Sequence, residues 1–208
     1  TAGNLLLSIV LRPCVNPAKY SGLAAVSGLA VLEALEKQGL ASEIALKWPN
    51  DLVARGRKLG GILVEAARDN EGKPFAVCGI GVNVNYTPQE VPDGGLAAIG
   101  LSDLNESVPA VDMLLDEVYH AVIDAVDTWA ERLNAMEENA GPLAPVHDEY
   151  IAHLNWIGKH VIARSPAGDE LARGIFRTVD DCGRACIETE SGLCVFHFEE
   201  ASLRPLSE

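Results

Sequence analysis

The sequence predicts an α+β chain, in which helices cover a sheet of strands and a smaller all-β unit follows. Three observations carry that prediction. Residues 18–37 are apolar almost all round, as in a helix sandwiched in a core. Three strand-like runs then follow one another, separated by turn residues, in the manner of a meander. After Trp156-Ile157-Gly158 the pattern shifts to short alternating runs at the spacing of a small barrel. The division this implies is 1–156 for the larger domain and 157–208 for the barrel.

In chain order, residues 4–12 form a strand that Arg12-Pro13 ends, because proline cannot donate to a ladder. The helix from Ala18 to Lys37 gathers its polar residues only at Glu33, Glu36 and Lys37, and Gly39 stops it. The meander strands are Glu43–Trp48, Lys58–Ala67 and Phe75–Val84, with turns at Ala54-Arg55-Gly56-Arg57 and Asp69-Asn70-Glu71-Gly72. Residues 86–107, rich in Gly, Pro, Asp and Ser, are long for a connection and read as a functional loop or lid. Asp112 to Met136 has the clearest 3.6-residue apolar period in the chain, with Asp112 as N-cap. A shorter helix spans His147 to Asn155. The barrel runs are His160–Arg164, Leu171–Val179, Ala185–Glu190 and Leu193–Glu199, punctuated by Gly168, Gly183 and Gly192.

Composition narrows the function. With 16 basic and 30 acidic residues the net charge is −14, a field that repels polyanions and argues against a nucleic-acid partner for this segment. Five cysteines, an odd number scattered through apolar runs, suit reduced thiols in a cytoplasmic protein better than a disulfide framework. No apolar window reaches the roughly 18 residues of a membrane span. The chain opens on Thr1 and runs at once into a strand, so a preceding segment is expected to be absent.

The stretch Lys47-Trp48-Pro49-Asn50-Asp51 is the first candidate for chemistry. Alternation puts Ile44, Leu46 and Trp48 on the packed face and Ala45 and Lys47 on the other. A buried ammonium without a partner costs several kcal/mol, so Lys47 is expected to face an anion. Pro49 takes the chain out of the ladder and leaves Asn50 and Asp51 at a strand end, free to bond a turn or a ligand. The competing reading is a surface lysine before an ordinary Asn-Asp turn. In the strand Cys78–Asn85, Cys78, Ile80, Val82 and Val84 share one face, and Gly79, Gly81, Asn83 and Asn85 the other. Glycine within a strand costs about 0.5–1 kcal/mol relative to alanine, so something approaches the backbone closely there, either a ligand or a tightly packed helix. Asn83 beside that bare floor has both donor and acceptor, as reading the edge of a planar ring requires. Gly60-Gly61 on the neighbouring strand repeats the device and points to one shared cleft. Gly79-x-Gly81 lies inside a strand with no helix after it, so it is not a dinucleotide fingerprint. Cys182, Cys186, Cys194 and His197 lack a CxxC knuckle and alternate onto different faces, which argues against zinc.

With these residues in view the chain resembles the catalytic and C-terminal parts of a biotin protein ligase. The matching segments are Gly3-Asn4-Leu5 with Ser8, Lys47-Trp48-Pro49-Asn50-Asp51, Arg57 through Glu65, Gly79 through Asn85, and Ser202-Leu203-Arg204-Pro205. The resemblance implies a biotin/lipoate ligase-like, class II synthetase-like mixed sheet with helices and a C-terminal SH3-like barrel. It implies formation of biotinyl-adenylate from biotin and Mg-ATP, then transfer to a lysine of a carboxyl carrier domain, with a homodimer allowed. Lys47 takes the catalytic role, since a preorganised ammonium stabilises charge that builds as a carboxylate attacks an α-phosphate. The resemblance also assigns the Gly60-Gly61-Ile62 backbone to biotin, Asn83 to adenine, and Arg204 to the nucleotide side. Magnesium would travel with the phosphates, with no protein metal site. Lipoate or octanoyl transfer on the same fold, and a non-catalytic ligand-binding module, are the alternatives. Family members carry a loop of the form Gly-Arg-Gly-Arg-x-Gly-Arg shortly before the strand that begins here at Asn4. That loop grips biotin and the phosphates, so the given chain is expected to be an incomplete and impaired enzyme.

Overall fold

The computed structural model describes residues 3–40, 43–85 and 95–206. Its first sheet is built from β1 (Leu5–Leu11), β2 (Ile44–Lys47), β3 (Asp51–Ala54), β4 (Arg57–Arg68) and β5 (Pro74–Val82). Their order is β1-β5-β4-β3-β2, and every pairing is antiparallel. Parallel pairing among the described residues is limited to isolated bridges at Leu46–Leu154 and Lys58–Ala98, so the expected mixed character is slight.

Helix α1 (Leu23–Lys37) follows a 3-10 turn at Pro17–Gly22, and Gly39 ends it with φ +74°, the left-handed conformation that glycine adopts without a Cβ penalty. It packs against β4 and against α2 (Val111–Asn134), which also covers β1. The sheet meets the helices with the residues that alternation predicts: Cys78, Ile80 and Val82 are buried, and the Cys78 thiol donates to the Ser27 hydroxyl at 3.4 Å. Ala110, not Asp112, caps α2. Asp112 lies in the first turn and its carboxylate accepts from the Met113 N–H, still a favourable place for an anion at a helix N-terminus.

A hairpin was missed by the strand reading. Residues 51–54 pair with β2 and β4, so Trp48-Pro49-Asn50 is a turn and Lys47 stands directly opposite Asp51. The four-residue strand opens with an aspartate, a poor strand former, and its partners alone hold it in the ladder. The lid expectation also changes. Residues 86–94 lie outside the described part of the chain. Residues 97–102 form a strap bonded to the sheet through Lys58 N–H to Ala97 O (2.7 Å), Ile99 N–H to Lys58 O (2.9 Å) and Leu101 N–H to Asn83 O (2.9 Å), with Ile99 and Leu101 buried.

The second sheet comprises β6 (His160–Arg164), β7 (Glu170–Val179), β8 (Ala185–Thr189), β9 (Gly192–Phe196) and β10 (Ser202–Pro205), ordered β10-β6-β7-β8-β9 and antiparallel. Helix α3 (His147–His153) leads into it. One continuous apolar core joins the two sheets, from Leu46 and Trp48 to Phe176, Val179 and Leu203. Polar ties cross the same boundary: the Trp48 indole donates to Gly183 O at 2.9 Å, and the Asn155 N–H to Leu46 O at 2.7 Å.

Candidate functional site

The face of the first sheet turned away from the helices carries the site. Strand register alone aligns one row of residues across all five strands. Leu6 on β1 is opposite Gly81 on β5, Gly81 opposite Gly61 on β4, Gly61 opposite Asp51 on β3, and Asp51 opposite Lys47 on β2. Residues paired in this way project to the same side, so the row runs from an apolar end over two bare positions to a charged end. A parallel row holds Ser8, Gly79 and Leu63. Between them is an open groove of about 430 Å³, lined by Leu6, Ser8, Asp51, Lys58, Gly61 and Leu63 with the glycines as its floor.

Among the described residues, no helix packs against the two glycines of β5. A Cβ on Gly79 would find only Leu63 O at 3.7 Å, and one on Gly81 only Leu6 Cδ2 at 3.6 Å, which are ordinary contacts. The packed-helix explanation of these glycines therefore fails, and the floor faces open space. Leu6 and Leu63, 64% and 59% exposed, flank it with unsatisfied apolar surface. Gly60 is different. Its Cβ would collide with the backbone oxygen of Gly81, so its bareness serves strand packing.

Lys47 projects on the expected face but is covered, with only 4% of its side chain exposed. Its ammonium lies 3.0 Å from Asp51 Oδ2 and 5.9 Å from the centre of the Trp156 ring. The anion that its position demanded is thus the carboxylate across the hairpin. Burial pulls the Lys47 pKa down, and the positive charges of Arg204 and Lys58 add to this, while Asp51 works in the other direction. Asp51 also binds the Lys58 ammonium, at 2.5 Å through Oδ1. Burial raises its pKa, but the charge of Lys47 and the hydrogen bond from Lys58 outweigh that, and the carboxyl is held below its ordinary value.

The other expected residues fall around this centre. Ile62 turns its side chain into the core, and its backbone is tied to Asn50 on both sides: its N–H donates to Asn50 O at 2.8 Å, and its carbonyl accepts from the Asn50 amide at 2.7 Å. Asn83 donates to Ile99 O at 3.2 Å and Lys58 O at 3.4 Å, and accepts from Asn4 at 3.4 Å, so its amide holds the strap to the sheet. Asn4 in turn accepts from the Val84 N–H at 2.9 Å. Arg204 on β10 lies near enough to Lys47 to depress its pKa. Reasoning from sequence left Asp51 as a strand-end residue free to bond a turn or a ligand and did not foresee that it pairs with both Lys47 and Lys58. Reading Pro49-Asn50 as a hairpin turn would have placed Asp51 opposite Lys47. Asp51 is the only carboxylate among the described residues lining the groove, and both its oxygens are bound by lysines, so the groove is no metal cage.

Residues 1–85 match the biotin/lipoate A/B protein ligase family, and residues 156–205 the biotin protein ligase C-terminal domain. The biotin–[acetyl-CoA-carboxylase] ligase of Paracoccus denitrificans is 31% identical over 196 residues, covering 92% of this chain and 76% of that protein. The chain belongs to the biotin protein ligase family. The Mycobacterium tuberculosis biotin–[acetyl-CoA-carboxylase] ligase is 34% identical over 188 residues, which span 88% of this chain but 63% of the relative. Among solved structures, the Aquifex aeolicus biotin protein ligase in complex with biotin and ATP superposes with a TM-score of 0.76 at 24% identity, over 98% of this chain and 79% of that one. The fold of this family is therefore the fold seen here, barrel included. No helix among the described residues is long and apolar enough to cross a membrane.

Proposed function

We propose that this chain carries the site of an ATP-dependent biotin–protein ligase, which forms biotinyl-adenylate and passes the biotinyl group to a lysine of a carboxyl carrier domain. The row Leu6-Gly81-Gly61-Asp51-Lys47 is the observation that supports it. With adjacent strands about 4.8 Å apart, the two bare strands offer roughly 10 Å of open floor between an apolar end and a cationic end. That suits a slender acid with an apolar body.

In this reading the apolar part lies over Gly61, Gly79 and Gly81, and the carboxylate points toward the lysines. Its oxygen attacks the α-phosphorus, and the bond to the β-phosphate breaks with its electrons on the departing pyrophosphate. Lys47, held in place by Asp51 and covered by Trp156, stabilises the charge that builds in that transition state. Arg204 and the Asn83 side of the groove receive the nucleotide, and magnesium arrives on the phosphates. The carrier's lysine amine then attacks the acyl carbon and AMP leaves. Relatives named for acting on acetyl-CoA carboxylase support the carrier assignment, and the reading places the protein in the cytoplasm. Incubating the complete protein, with the glycine- and arginine-rich loop expected before Asn4, with biotin, Mg-ATP and a carrier domain tests it by mass spectrometry of the carrier. A biotin adduct on one lysine is expected, and its absence, with lipoate used instead or with no acyl transfer at all, overturns the reading.

A further inference from the structure

Lys47 is the residue that the sequence singles out, yet it does not line the groove. Asp51 stands between it and the open floor. The cation that a ligand meets first is Lys58, which lies on the groove wall with 45% of its side chain exposed. Its ammonium is held at 2.5 Å by Asp51, above Gly61, where a Cβ would come within 3.5 Å of it. Its backbone is fixed from the other direction: the strap bonds both its N–H and its carbonyl, and the Asn83 amide reaches the same carbonyl. Lys58 therefore joins the charged end of the row to the residue expected on the nucleotide side.

We propose that Lys58 is a second cation of the site and contacts the anionic junction between acyl group and α-phosphate, with Asp51 as the positioning residue that holds its ammonium beside that of Lys47. The assignment rests on the biotinyl-adenylate reading above. Without ligand, one carboxylate is shared by two ammonium groups. With ligand, Lys58 exchanges Asp51 for the new anion by a side-chain movement alone, because its backbone is anchored. Lys47 keeps Asp51 throughout. Asp51 is also the one acidic group among those acting on Lys47, the others being Lys58 from β4 and Arg204 from β10.

The test uses an acyl-sulfamate analogue of biotinyl-adenylate, which carries negative charge at the junction and cannot react. Calorimetric titration of the complete protein, with the glycine- and arginine-rich loop expected before Asn4, and of its variants reads affinity for the analogue, for biotin and for ATP. Lys58→Ala is expected to weaken the analogue by at least about tenfold while biotin changes less than about threefold, and Lys58→Arg to recover part of the loss. Lys37→Ala, which removes a surface cation on α1, should change nothing. If the analogue binds the wild type but Lys58→Ala matches it, the Lys58 assignment is wrong and the ligase reading stands. If the wild type binds none of the three ligands, the ligase reading fails and takes the assignment with it. A second arm needs no ligand. With lysines reductively methylated with carbon-13, Lys47 should titrate at lower pH in Asp51→Asn than in the wild type, since the one acidic group that acts on it among the described residues is gone. An unchanged titration would remove Asp51 from the positioning role.

Discussion

Placing a valine at Gly81 separates a ligand floor from a packing contact. The added Cβ would meet nothing closer than Leu6 Cδ2 at 3.6 Å, and Gly81 lies in ordinary extended backbone, so the folded chain accepts the side chain without strain. Replacing glycine in a strand recovers about 0.5–1 kcal/mol of backbone entropy. At roughly 2–4 °C per kcal/mol for a chain of this size, the melting temperature should stay within about 4 °C of wild type. The ligand loses more. The valine methyls would rise about one atomic layer above the floor and lift the ligand from about 100 Å² of apolar contact, on the order of 2–3 kcal/mol, or roughly 30- to 150-fold in affinity. Gly60→Ala is the contrasting variant. Its Cβ points into the backbone oxygen of Gly81, and overpacking of that kind costs about 1–3 kcal/mol or more of stability. Calorimetric titration with biotin beside a thermal melt of each variant gives both quantities. A Gly81→Val chain that melts far below wild type yet binds normally would refute the floor.

Three further outcomes follow from the same geometry. In the complete protein, Lys47→Ala should cut pyrophosphate release with biotin and ATP by at least about tenfold, because one preorganised donor is lost, while Asp51 keeps Lys58 as a partner and the fold survives; unchanged release would end the catalytic assignment. Asp51 has a depressed pKa, so its contribution to stability is present above its ordinary value near 3.8 and is lost as pH falls through the lower folded value. Melting curves from pH 7 to 3 should therefore fall less steeply in acid for Asp51→Asn than for wild type, and parallel curves would contradict the pairing. Trp48→Phe removes the indole donor to Gly183 O and leaves a carbonyl at the sheet boundary without it, about 1–3 kcal/mol that a chemical denaturation curve should show as a lower midpoint.

The fold was legible where side chains alternate or recur strongly. The all-round apolar α1, the 3.6-residue period of α2 and the alternating barrel strands all appear at the places their patterns predict. Residues 51–54 were not legible, because a short strand led by aspartate exists only through its neighbours. That omission propagated into the site. Without β3, Asp51 was a strand-end polar residue, and neither its pairing with Lys47 nor its hold on Lys58 could be seen. The glycine floor was readable because period-two alternation decides which face a residue takes. The distinction between Gly60 and Gly61 was not, since adjacent identical residues meet different neighbours only once the strands are in register. Asn83 shows the same limit: its donor and acceptor were evident, but the carbonyls it meets belong to residues 16 and 25 positions away.

The ties across the two sheets also set a clock for synthesis. Trp48 waits for Gly183, 135 positions later, Tyr150 closes on Pro49 from 101 positions away, and Lys47 meets the Trp156 ring and the charge of Arg204 only once those residues are made. At roughly 5–20 residues per second, a ribosome takes about 7–27 s to make the stretch between Trp48 and its partner. During that interval the hairpin bearing Lys47 has no barrel to lean on, and the Trp48 indole lacks its partner at Gly183. Local sheet and helix contacts can form early, but the cationic end of the groove is finished late, when the last strand of the second sheet has emerged. Premature termination within the barrel would therefore release a chain with most of its first sheet but without Arg204, whose charge acts on Lys47 in the finished fold.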